Sequence, residues 1–132
     1  MAQHIEATTH FTNQFEGQLE LTEGFIPIGI GAHQVSPYQM LQGALMACLH
    51  ATFLDILTKK RESFDKITYK TSGSKRDGVP TTIEVLHIDV MILGATKKIA
   101  VEKSMELATK VCSVYQTLSC VGKLSYTIVF ID

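Results

Sequence analysis

The segment from Ser36 to about Arg61 constrains the fold more than any other part of this 132-residue chain. Ser36 is placed to cap a helix, Pro37 to occupy its first position, and Gln39, three residues beyond Ser36, to close a capping box. The stretch that follows, Met40 to Leu57, is apolar on nearly every face instead of along one stripe. Such a helix has to be surrounded. A chain of this size can hardly enclose a helix of about six or seven turns by itself, so the pattern predicts a dimer in which two such helices pack together. Lys59, Lys60 and Arg61 fall in the last turn, where they complement the helix dipole.

Around this helix the alternation of apolar and polar residues predicts strands. Ile5 to Phe11 and Phe15 to Leu21 read as a hairpin with Thr12, Asn13 and Gln14 in its turn. Phe25 to Ile30 reads as a third short strand, and Pro27, which has no N–H to give a ladder, puts it at an edge. Two longer strands follow, one through Ile67, Tyr69 and Thr71 and one over Ile83 to Ile92, joined by the basic connection Ser74 to Pro80. Ile99 to Val111 has helical spacing, Val114 to Ser119 reads as a short turn or helix, and Leu124 to Ile131 as the last strand. The expectation is one domain over residues 1–132 with α+β architecture.

Composition excludes several classes. With 45% hydrophobic and 19% charged residues the chain is neither disordered nor built as a membrane protein. A net charge of −1 gives no broad field to attract nucleic acid or an anionic lipid surface. All 12 basic residues lie from Lys59 onward, leaving the first 58 residues with Glu6, Glu16, Glu20, Glu23 and Asp55 and no cation. The opening residues lack the layout of a secretory signal, and no uninterrupted apolar run approaches a transmembrane length, so a cytoplasmic location is expected. Three cysteines, Cys48, Cys112 and Cys120, argue against a structural disulfide framework there. They contain no Cys-x-x-Cys and have no His at a ligand-like interval, so structural zinc is not expected. Read from the residues alone, each cysteine is a small buried hydrophobe or a redox thiol.

Ser36 to Leu41, the small-residue run to Ala47 and Cys48, and the stretch Val111 to Leu118 around Cys112 resemble the two cysteine motifs of the OsmC/Ohr family. The order of the motifs, the 64-residue interval between the cysteines and the flanking strand pattern match across nearly the whole chain. The resemblance implies an OsmC-like α+β fold, with antiparallel sheets packed around a long central helix in an intertwined homodimer. It implies a thiol pair at the subunit interface, no cofactor, and reduction of organic hydroperoxides or hydrogen peroxide. Cys48 would attack the peroxide to give a sulfenic acid, and Cys112 would condense with it; an external thiol or dithiol would reduce the resulting disulfide. The alternative is a non-catalytic dimer of the same fold that binds a small apolar ligand at the interface.

Peroxidase members of the family carry a Glu where this chain has Tyr38, an N-terminal Arg that has no counterpart here, and a Pro where Ser113 stands. Tyr38 lies ten residues before Cys48, about 15 Å along a helix, and is expected to reach only the thiol of a partner subunit. Arg76, with Lys75 beside it on the basic connection, is the candidate replacement cation if that loop crosses to the other subunit. Tyr38 and Arg76 are therefore the expected substrate-side residues. His50, two residues from Cys48, points away from it on a helix, so a Cys-His nucleophile pair is not supported. Cys120 is expected to pack at the start of the last strand, and Tyr115 and Met46 in the core.

Overall fold

The capping box at Ser36 forms as its sequence dictates. In the computed structural model, which describes residues 2–132, the Ser36 N–H donates to Gln39 Oε1 at 2.9 Å and the Gln39 N–H returns a bond to Ser36 Oγ at 3.3 Å. Helix α1 runs from there over Pro37–Lys60. The chain divides into two compact units, one up to Gly43 and one over Ala44–Asp132, and α1 begins in the first and continues through the second.

The first unit is a three-stranded antiparallel sheet of β1 (Thr9–Phe11), β2 (Gly17–Glu20) and β3 (Phe25–Ile28) in the order β1-β2-β3. The expected hairpin is there, but shorter: its first strand starts at Thr9, and Ile5 is 85% exposed. Apolar alternation alone does not make a strand where no face is covered. Pro27 sits on the edge strand opposite Gln18, as its missing N–H requires. The third strand ends at Ile28 instead of Ile30, because the chain turns there; Val35 N–H donates to Pro27 O at 2.9 Å and Gly29 N–H to Val35 O at 3.1 Å.

The second unit carries β4 (Lys66–Lys75), β5 (Ile83–Leu93), α2 (Lys98–Val111), α3 (Ser113–Ser119) and β6 (Lys123–Ile131), with sheet order β4-β5-β6. The expected antiparallel pairing holds in the first sheet and for β4 with β5, but β6 runs parallel to β5. The chain leaves β5, crosses through α2 and α3, and re-enters from the same end, the connection a parallel pair needs. β4 continues through Gly73 to Lys75, where a side chain at position 73 would collide with the Val85 carbonyl.

Four residues at i, i+4 spacing, Leu45, Leu49, Phe53 and Leu57, form the buried face of α1 in this unit. They share one core with Leu86, Ile88, Val90 and Ile92 of β5 and with Val101, Met105 and Ala108 of α2. Full burial of each such side chain contributes about 1.5–3 kcal/mol. By length and composition α1 is nevertheless long and apolar enough to cross a membrane, with a mean hydropathy of 1.5 over 18 residues. The expectation concerned an uninterrupted apolar run, which α1 does not contain. Scattered residues such as Gln42, His50 and Asp55 interrupt the apolar run without lowering its average much.

At its C-terminal end α1 stops in a Schellman motif: Glu62 N–H bonds Leu57 O at 3.1 Å and Arg61 N–H bonds Thr58 O at 3.2 Å. Arg61 occupies the left-handed position with φ 57°. Because that conformation suits glycine far better than a residue with a Cβ, Arg61→Gly is expected to raise the unfolding free energy by about 0.5–1 kcal/mol. Urea denaturation at constant m-value checks this.

Candidate active site

The buried stripe of α2 runs Val101, Met105, Ala108 and ends on Cys112, which is fully buried. Cys112 is one extended residue between two helices, with φ −68° and ψ 120°. Its N–H closes α2 on Ala108 O at 2.8 Å, and its carbonyl opens α3 by accepting the Gln116 N–H at 3.0 Å. Gln116 Nε2 also donates to Thr109 O at 2.8 Å, fastening the junction. A single residue thus ends one helix and redirects the chain into the next.

Cys48, half-buried on α1 between Leu45 and Leu49, meets this junction. The Cys112 thiol donates to the Cys48 sulfur across 3.4 Å. A disulfide needs about 2.05 Å between sulfurs, so closure requires a shift of little more than one ångström. Ser113 Oγ lies 3.7 Å from the Cys48 sulfur. The fold therefore brings Cys48 and Cys112 together, and Ser113 with them.

The two thiols are biased in opposite directions. Cys48 is held below the ordinary thiol range, chiefly by a hydrogen bond from the Val114 N–H; partial burial opposes this, and bonds from the Cys112 and Ser113 side chains and the Ser113 N–H add to it. These are the unpaired N–H groups of the first turn of α3. Cys112 is pushed up, chiefly by its burial, against an opposing hydrogen bond from the Tyr115 N–H and with help from the neighbouring Cys48. One sulfur is thereby suited to be a thiolate and the other to remain a thiol. No cation is among the causes of the lowering at Cys48.

The remaining candidates lie elsewhere. Tyr38 is half-buried in the first turn of α1, where its carbonyl accepts from Gln42 Nε2 at 2.8 Å. Arg76 is exposed at the β4–β5 turn, its N–H bonded to Thr82 O at 2.8 Å. His50 turns from Cys48 to Tyr69, with Nδ1 3.0 Å from the phenol oxygen, and burial lowers its pKa. Met46, Ala47, His50, Ile67 and Tyr69 line a groove of about 270 Å³. Tyr115 belongs to the core. Cys120 does not pack inside as expected: it caps α3 as an exposed residue, its thiol donating to Gln116 O at 3.4 Å. The chain turns through Gly122 before β6 begins, which leaves Cys120 outside the alternating register of the strand. Among the described residues no three His, Cys, Asp or Glu side chains converge as a metal site.

A buried thiol paired with a hydrogen-bonded one, on an α+β scaffold, defines a two-cysteine thiol protein. The sequence profile of the OsmC-like protein family matches residues 30–125, and the chain belongs to that family. Solved structures agree on the fold. An OsmC-like protein from Mycoplasma pneumoniae superposes with a TM-score of 0.88 at 16% identity over 100% of both chains. An organic hydroperoxide resistance protein OsmC from Legionella pneumophila gives 0.71 at 14% identity, covering 96% of this chain and 98% of that one. The organic hydroperoxide resistance protein OhrB of Bacillus subtilis gives 0.67 at 12%, covering 95% and 98%. No curated protein matches the chain.

The sequence marks Ser113 only as the residue standing where peroxidase members of the family have Pro; its approach to the sulfur follows from the break at Cys112. The opposed biases make a direct test. In a Cys120→Ser background, iodoacetamide is expected to label Cys48 with a pH midpoint below the ordinary thiol value of 9.0 and Cys112 with one above it. Peptide mass spectrometry across a pH series reads both midpoints.

Proposed function

We propose that the protein is a thiol-dependent peroxidase that reduces organic hydroperoxides or hydrogen peroxide, with Cys48 as attacking and Cys112 as resolving thiol. The observation that carries this reading is the 3.4 Å approach of a hydrogen-bonded Cys48 sulfur to a buried Cys112 thiol. Cys48 thiolate attacks one peroxide oxygen, the O–O bond breaks, and an alcohol or water departs. Cys112 then displaces hydroxide from the sulfenic acid to form the disulfide. An external thiol or dithiol restores both thiols by exchange. The hydroperoxide resistance functions named for the Legionella and Bacillus proteins favour the same substrate class.

The working form in this reading is a cytoplasmic homodimer. Exposed apolar surface supports the second copy: in the first unit Phe11, Phe15, Leu21, Phe25 and Ile30 are exposed and Ile28 is the buried large apolar side chain. A unit of that size with so little interior depends on a partner surface. Ala44, Ala47, Ala51 and Leu54 leave a second, uncovered side of α1 that suits close packing against its counterpart. A second copy is also the route by which Tyr38 or Arg76 would reach the peroxide at Cys48.

The absence of a cation among the influences on Cys48 favours the other reading, a dimer that binds a small apolar ligand without turnover. The two differ in one experiment. One equivalent of cumene hydroperoxide is expected to convert wild type to the Cys48–Cys112 disulfide, Cys48→Ser is expected to consume none, and Cys112→Ser to stop at the sulfenic acid. Unmodified thiols after that treatment would overturn the peroxidase. Light scattering is expected to give twice the 14.6 kDa chain mass, and a monomer would overturn the dimer.

A further inference from the structure

The mouth of the thiol site carries one side chain that the two-sulfur chemistry leaves unused. Ser113 is exposed, stands first in α3, and holds its hydroxyl 3.7 Å from the Cys48 sulfur. Its main chain is fixed on both sides: its carbonyl accepts the Thr117 hydroxyl at 2.8 Å, and the carbonyl before it accepts the Gln116 N–H at 3.0 Å. The side-chain partners of the Cys48 sulfur are thus a fully buried thiol and a solvent-facing hydroxyl. A peroxide entering from solvent meets the hydroxyl at the sulfur it must reach.

We propose that Ser113 is a catalytic residue of the peroxidase reaction, its hydroxyl donating to the Cys48 thiolate before attack and to the departing peroxide oxygen during it. The proposal rests on the function given above. A serine hydroxyl has one rotatable O–H and two acceptor lone pairs, so turning about its C–O bond moves the donor from sulfur to oxygen while the main chain stays still. In the step itself the thiolate electron pair forms the S–O bond and the O–O bond breaks toward the RO oxygen. Cys48 is oxidised by two electrons to the sulfenic acid, and the peroxide is reduced. The alkoxide takes its proton through the Ser113 hydroxyl, which is replenished from water, leaving ROH and hydroxide. A donor aimed where negative charge appears in the transition state is the recurring way to lower such a barrier. The bonds from the Ser113 side chain and N–H to Cys48 already favour its charged form, which fits the resting half of the role.

The test compares wild type with Ser113→Ala and Ser113→Thr in the full-length protein, after circular dichroism confirms unchanged helix content. Alanine is a good helix former, and threonine restores the hydroxyl. Two rates are followed: iodoacetamide alkylation of Cys48 across pH, and single-turnover reduction of cumene hydroperoxide at a pH where Cys48 is ionised in every variant. Ser113→Ala is expected to move the alkylation midpoint upward. At full ionisation it is expected to slow peroxide reduction about tenfold, the usual scale for one lost charge-stabilising donor, with no slowing of alkylation, which expels iodide and has no alkoxide to protonate. Ser113→Thr is expected to recover both. Equal peroxide rates in wild type and Ser113→Ala at that pH would overturn the proposal. No peroxide consumption by wild type would instead overturn the function beneath it, and would be seen before any variant is compared.

Discussion

The packing of α1 against β5 and α2 is the contact on which the rest of the second unit depends. Leu45, Leu49, Phe53 and Leu57 bury one edge of α1 against Leu86, Ile88, Val90 and Ile92, while Val101, Met105 and Ala108 bring α2 onto the same core. Interiors of this kind are packed as densely as organic crystals, so side chains beside the seam have little freedom to drift. Cys48 stands next to Leu49 on one helix and Cys112 ends the buried stripe of the other. The distance between their sulfurs is therefore set by the core. Neither cysteine needs a loop to present it, and a truncation as remote as Phe53→Ala would act on the site through the seam as well as on stability.

What the seam places, the junction at Cys112 tunes. Had α2 continued unbroken, the N–H groups of residues 113 to 115 would be spent on carbonyls one turn back, and none would be free for a sulfur. The single extended residue releases them. Val114 N–H then acts chiefly on Cys48, while at Cys112 the bonds from the Tyr115 and Val114 N–H groups are outweighed by the desolvation that keeps a thiol neutral. Hydrogen-bond donors of the main chain thus bias Cys48 in the direction a neighbouring guanidinium would, and they do it without a charge that salt would screen.

Much of this was legible in the residues. Ser36, Pro37 and Gln39 announce the start of α1 because capping is local chemistry, and the helical spacing that ends at Val111 marks the end of α2. The pair of motifs at Cys48 and Cys112 points to the two sulfurs that meet. What was not legible depends on the path of the chain. Leu124, Tyr126, Ile128 and Phe130 alternate identically in a parallel or an antiparallel strand, so only the crossover through α2 and α3 decides the direction of β6. Ile5 continues an apolar alternation, yet no partner surface in its unit covers it. Ser113 and Cys120 differ by seven positions and both are exposed, but the side chain of one reaches the Cys48 sulfur and that of the other bonds Gln116 O of its own helix.

The same geometry bears on the order of events at the two sulfurs. Cys48 is the more accessible and the more readily ionised, so in the proposed reaction it is the thiol oxidised first. Cys112 is shielded from direct oxidation by its burial and by its bias toward the thiol, and in the proposed reaction its oxidant is the sulfenic acid formed 3.4 Å away. Replacing the Cys48 thiolate by a neutral sulfenic acid also removes the neighbouring charge that helps push Cys112 up, so the second thiol ionises more easily once the first has reacted. In the proposed reaction resolution is thereby coupled to oxidation through charge, and the sulfurs then close the remaining distance of little more than one ångström.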